Sequence, residues 1–158
     1  MTANYLQILQ ESLEEKLNIL TRIEEKSREQ AELLKNPDVN LEVLDRNMDE
    51  KAEYIAKIDR LDEGFDSIYE KIKQELVENK DRYREQIGAL QELIRQITEK
   101  STGIQAIEMR NKAGVETIFR NRRKSLQSKR NAMDVALGYY QNMNKVRNVG
   151  PQFMDKKK

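Results

Sequence analysis

Between Leu41 and Leu76 the positions Leu41, Leu44, Met48, Lys51, Ile55, Ile58, Asp62, Phe65, Tyr69, Ile72 and Leu76 recur at alternating steps of three and four. That spacing is a heptad seam held through five repeats, and it commits this stretch to a long helix packed along other helices. A strand, whose side chains alternate with a period of two, cannot put these residues on one face. Lys51 and Asp62 interrupt the seam, and polar groups in such places cost stability while restricting register. Gly64 beside Phe65 weakens the helix, and a local kink is expected there.

The flanking segments have the same character. Leu6, Leu9, Leu13, Leu17, Leu20 and Ile23, with Ala31 and Leu34 beyond, predict a first helix over Ala3 to Leu34 with one sticky face. The wholly polar run Glu24 to Gln30 implies that this part of the face is not deeply buried. Pro37 ends the helix, because the residue before a proline is pushed out of the α region. Asn40 has the chemistry of the next N-cap, and Val39 with Leu44 stands at hydrophobic-staple spacing. Asn79 to Asp81 predicts a tight turn, after which Tyr83, Ile87, Leu90, Ile94, Ile97, Ser101 and Ile104 resume the pattern, with Gly103 a soft point. The expected fold is all-α: an elongated antiparallel helical hairpin or three-helix coiled coil with a long amphipathic C-terminal helix. The seam is expected to be its core, with a homodimer through the same face as the alternative.

Several functions are excluded by what the chain lacks. It contains neither histidine nor cysteine, so the commonest general base, thiolate zinc ligands and a cysteine nucleophile are all missing. No phosphate loop of the form GxxxxGK[ST] is present. Carboxylates such as Asp59, Asp62, Glu63 and Asp66 lie at helical spacing without the Gly-centred loop of an EF-hand, and are read as a charged surface. The expectation is a non-enzyme with no catalytic residues, no cofactor and no metal. No basic stretch followed by an apolar run opens the chain, and no window approaches eighteen apolar residues, so a cytoplasmic protein that is not membrane-embedded is expected.

Charge divides the chain in two. Met1 to Lys100 carries 16 basic and 24 acidic residues, whereas Ser101 to Lys158 carries 13 and 4. This predicts an acidic coiled-coil body over residues 1–104, a basic amphipathic helical region over 105–147, and a mobile tail over 148–158. The basic region bears the stripe Ile107, Val115, Ile118, Phe119, Leu126, Met133, Leu137 and Tyr140, the candidate client-binding residues. Packing of this stripe against the body and binding of a partner helix are both open readings. Arg122, Arg123 and Lys124 are candidates for electrostatic steering. The run Arg120 to Arg130, with six Lys or Arg and no acid, could neutralise phosphates, but no aromatic residues interleave it and nucleic acid is not the expected partner.

Read as a whole, the chain resembles the FlgN family of flagellar export chaperones, especially the clostridial type. The resemblance rests on Asn4-Tyr5-Leu6-Gln7-Ile8-Leu9-Gln10-Glu11-Ser12-Leu13, on Lys57-Ile58-Asp59-Arg60-Leu61-Asp62-Glu63-Gly64-Phe65, on Leu90-Gln91-Glu92-Leu93-Ile94-Arg95 leading to Ile97-Thr98-Glu99-Lys100-Ser101, and on the ending Pro151-Gln152-Phe153-Met154-Asp155-Lys156-Lys157-Lys158. The nearest match to the family's Asn-rich, Gly-containing stretch is Asn111-Lys112-Ala113-Gly114, which lacks a second Asn directly before the Gly. The FliT chaperones are similarly small and helical. The resemblance implies a chaperone that holds C-terminal helical segments of the hook-filament junction proteins FlgK and FlgL until the export apparatus accepts them. The residues themselves leave two rivals: a structural or regulatory coiled coil of the ATPase-stimulating stalk type, and a nucleic-acid-binding helical protein.

Overall fold

The computed structural model describes residues 1–122 and 133–141. Three long helices, α1 (Thr2–Leu33), α2 (Leu41–Glu78) and α3 (Arg84–Arg122), carry most of the chain, and residues 133–141 are helical as well. Among the described residues there is no strand, and no helix is long and apolar enough to cross a membrane. Leu126, Arg123, Lys124 and the 148–158 tail lie outside the described residues.

Each boundary has a local cause. In the first turn, Asn36 Oδ1 accepts from the Asp38 amide at 2.9 Å, and the Val39 amide donates to the Asn36 carbonyl at 3.0 Å. This places Asn40 in an extended conformation, where its side chain accepts from the amides of Glu42 and Val43 at 2.8 and 3.4 Å. Val39 and Leu44 are both buried in one apolar cluster, as the staple spacing anticipates. The second turn forms without Gly or Pro. The Arg82 and Tyr83 amides donate to the carbonyls of Asn79 and Lys80, and buried Tyr83 donates its hydroxyl to Glu75 at 3.2 Å.

Among the three helices, close backbone contacts join α1 to α2 and α1 to α3. Lys16 with Asp62 and Lys26 with Glu50 show that α1 and α2 run antiparallel. Glu24 with Lys100 and Ser27 with Asn111 show that α1 and α3 run parallel. Residues 133–141 lie against α1, α2 and α3: Gln30 reaches Met133, Asp134 pairs with Lys112, and Tyr139 donates to Asp62 at 3.4 Å. The seam residues form the core, with Leu9, Leu20, Ile23, Ile58, Leu76, Leu90, Ile97 and Ile104 fully buried. Burying each such side chain contributes about 1.5–3 kcal/mol relative to exposure.

Helix α2 continues through Gly64, which faces open space. One expectation is corrected: the polar run of α1 is not held at the surface, since Ser27 and Gln30 are fully buried. The Gln30 side chain is accommodated because Lys51 of α2 and Asn111 of α3 both donate to its Oε1, and Asn111 also donates to the Ser27 carbonyl.

Candidate functional site

The described core divides into two apolar clusters. The larger runs from Leu6 to Tyr140, and the smaller joins Val39, Leu44, Met48, Val115, Ile118 and Met133. A buried polar group contributed by α1, α2 and α3 lies near Met48 and Met133 of the smaller cluster. Lys51 Nζ donates to Glu108 Oε1 at 2.7 Å and also to Gln30 Oε1. Asn111 Nδ2 donates to the Ser27 carbonyl at 2.8 Å and to Gln30 Oε1 at 3.3 Å, while Gln30 Nε2 points at Met133 Sδ 4.0 Å away. Asn47 Nδ2 donates to the Lys26 carbonyl at 3.0 Å. Lys51 is only 4% exposed and Glu108 2%, so burial holds the Lys51 ammonium below its usual pKa while Glu108 opposes that shift. The second seam interruption is resolved in the same way, with Asp62 accepting from buried Lys16 at 2.7 Å.

The sequence reading did not foresee the buried partners Ser27, Gln30, Glu108 and Asn111, yet their spacing carries the signal. Leu20, Ile23, Ser27, Gln30 and Leu34 continue the three-four alternation, as do Ile104, Glu108, Asn111, Val115 and Ile118. Polar residues at this spacing continue the seam and do not break it. Gly114 extends the same geometry, since a Cβ there would sit 3.2 Å from Leu34 Cδ1 where α3 approaches the end of α1. The Asn111 to Gly114 stretch thus combines a buried amide with a close helix approach.

The candidate client-binding residues separate in space. Val115, Ile118 and Met133 are buried in the smaller cluster, with Phe119 packed partly buried against it. Tyr140 is buried in the larger cluster, Ile107 is 5% exposed, and Leu137 is half-buried. Burial, together with Glu108, pushes the Tyr140 hydroxyl well above the usual tyrosine range. Of the steering candidates, Arg122 donates to the Pro37 carbonyl at 2.7 Å, fastening the end of α3 to the α1–α2 turn.

An open furrow of about 440 Å³ runs between α2 and residues 133–141. Ala52, Ile55 and Ala56 form one wall and Val135, Ala136 and Tyr139 the other, while buried Lys51, Glu108 and Met133 close the bottom. Val135 is 72% exposed on the rim of this furrow. With its charged floor internally paired, the furrow offers an apolar trough suited to a helix ridge. Among the described residues no group of His, Cys, Asp and Glu is arranged to hold a metal ion.

No curated protein and no solved structure matches the chain. A family model described as FlgN protein matches residues 1–145, which takes in all three helices, both turns and the furrow. A helical chain matched over that span belongs to the FlgN family of flagellar export chaperones.

Proposed function

We propose that this chain is a cytoplasmic, non-catalytic export chaperone that holds hook-filament junction proteins of the FlgK and FlgL type and delivers them to the flagellar export apparatus. Family membership supports the chaperone role. The observation that carries the client-holding step is the apolar surface left open on the C-terminal segment around Val135, Ala136 and Leu137. A client whose terminal helix has no partner before assembly exposes an apolar stripe, and a matching surface protects it from aggregation. The division into an acidic body (1–104), a client-binding region (105–147) and a tail (148–158) is one of surface chemistry, since α3 passes through Ile104 without a break.

Within the client-binding region, Phe119, Leu126 and Leu137 are proposed to contact the client, while Ile107, Val115, Ile118, Met133 and Tyr140 hold the region against the body. Arg122, Arg123 and Lys124 steer encounter, an effect that added salt suppresses. The test is a calorimetric titration of purified chain with purified FlgK- and FlgL-type proteins, with filament protein as control. Tight binding of the junction proteins is expected. Replacing Phe119 and Leu126 together by Ala should weaken it more than tenfold, equivalent to over ~1.4 kcal/mol. Unchanged affinity in the folded variant would remove these residues from the client surface, and failure to bind either junction protein would reject the client assignment.

A further inference from the structure

The apolar seams of the bundle do not by themselves fix how far its helices are slid past one another. Leu6, Leu9, Leu13, Leu20 and Ile23 of α1 face a seam of α2 built from the same kinds of side chain. A slip of one heptad, about 10.5 Å along the axis, therefore exchanges one large apolar contact for another. Nor does the first connection prevent it, since residues 34–40, between Leu33 and Leu41, can reach across about 23 Å.

The buried charges do discriminate. At the native register Lys16 of α1 meets Asp62 of α2 at 2.7 Å, and Lys51 of α2 meets Glu108 of α3 at 2.7 Å and Gln30 of α1. With α2 moved seven residues in either direction, Lys16 stands opposite Ile55 or Tyr69, and Asp62 opposite Leu9 or Ile23. Glu108 and Gln30 then stand opposite Leu44 or Ile58. A charge that has lost both water and partner is among the costliest defects a core can hold. A longer slip fares no better: moving α2 by the spacing between Lys51 and Asp62 sets Lys51 against Lys16 in one direction and Asp62 against Glu108 in the other. Between α1 and α3 the same part falls to Asn111, which donates to Gln30 Oε1 at 3.3 Å; sliding α3 by seven residues puts Ile104 or Ile118 there. The bonds of Asn111 and Asn47 to the Ser27 and Lys26 carbonyls do not discriminate, because backbone carbonyls recur along a helix.

We infer that these two buried layers, Lys16 with Asp62 and Lys51 with Glu108 and Gln30, are a register lock. They add little net stability over apolar side chains of similar size, and instead exclude the slipped packings of α2 that the apolar seams would accept. Fixing α2 also fixes Ala52 and Ala56 opposite Val135, so the lock sets the shape of the furrow.

The chain has no cysteine, so nitroxide spin labels can be placed in pairs on the full-length protein. Asn4→Cys with Glu53→Cys reads α1 against α2, and Asn4→Cys with Thr102→Cys reads α1 against α3; all three positions are exposed. Distance distributions are measured by pulsed electron paramagnetic resonance in the parent and in Lys16→Met/Asp62→Leu/Lys51→Met/Glu108→Leu. The parent should give one peak for each pair. The variant should keep its helicity by circular dichroism and melt at or above the parent, while its α1–α2 pair gains a second peak displaced by roughly 10 Å. Its α1–α3 pair, still held by Asn111 and Gln30, should keep a single peak. Restoring Lys16 and Asp62 should remove the second peak. A single, unshifted α1–α2 peak in the folded variant overturns the lock. Loss of helicity overturns it too, because the layers would then supply stability itself and not register. A second peak that vanishes on dilution with unlabelled chain comes from a second copy, and also overturns it.

Discussion

Replacing Glu108 by Leu removes the carboxylate that Lys51 meets at 2.7 Å and leaves an ammonium group, 4% exposed in the parent, bonded to Gln30 alone among the groups described above. Breaking one side of a buried ion pair costs about 3–5 kcal/mol, because the remaining charge has lost water and partner together. In a protein of this size each kcal/mol moves the melting temperature by about 2–4 °C, so a fall of roughly 6–20 °C is expected. Adding Lys51→Met removes the orphaned charge as well, and replacing a whole buried pair by apolar groups is often neutral or stabilising by about 1–4 kcal/mol. The double variant should therefore melt at or above the parent, while Gln30 still accepts from Asn111. Chemical denaturation followed by circular dichroism at neutral pH, run as a double-mutant cycle, measures the coupling. A double variant that loses the sum of the two single losses would refute the reasoning. The pH dependence supplies a second check. Burial lowers the folded pKa of Lys51 below 10.5, so the unfolded chain binds more protons between the two values and the contribution of this group to stability rises with pH there. In Glu108→Leu, with the opposing carboxylate gone, that rise should be steeper and begin at lower pH.

Three further outcomes are expected. Ile58→Ala, at a fully buried seam position, should cost about 2–5 kcal/mol in denaturant titration, while exposed Lys57→Ala should cost far less. Gly64→Ala, where an added methyl meets nothing within 4 Å, should stabilise by about 0.4–1 kcal/mol, read as a higher denaturation midpoint. In an ultraviolet titration Tyr69 should ionise at about 12, because burial and neighbouring Glu70 disfavour the phenolate. That raised folded value means its contribution to stability is intact below pH 10 and is lost as pH climbs through 12.

Much of the fold was legible because helices are specified locally. The three-four spacing of Leu41 to Leu76, the Asn40 cap, the Val39 and Leu44 staple and the turn at Asn79 each depend on residues within a few turns of one another, and the sequence displays all of them. The client stripe was legible only in part. Periodicity says that Ile107, Val115, Ile118, Met133 and Tyr140 need covering, but it does not say by what, and in the structure the chain's own helices cover them.

The sequence by itself determined the two turns that separate α1 from α2 and α2 from α3, which face of each helix is apolar, and that Lys51 and Asp62 would stand on the seam. Only the tertiary structure decided what those two charges meet. Glu108 lies 57 residues from Lys51, and Lys16 lies 46 residues from Asp62, separations over which no helical period carries information. The same holds for Gln30. Its polarity argues for solvent until α2 and α3 bring Lys51 and Asn111 within hydrogen-bond reach of its side-chain oxygen, and from then on burial satisfies it. Tertiary packing also turned residues 133–141 so that Met133 and Tyr140 point inward and Val135 outward, which opened the furrow beside Ala52 and Ala56. A helix face becomes core or binding surface according to which neighbour reaches it first, and that neighbour is set by the arrangement of the whole bundle.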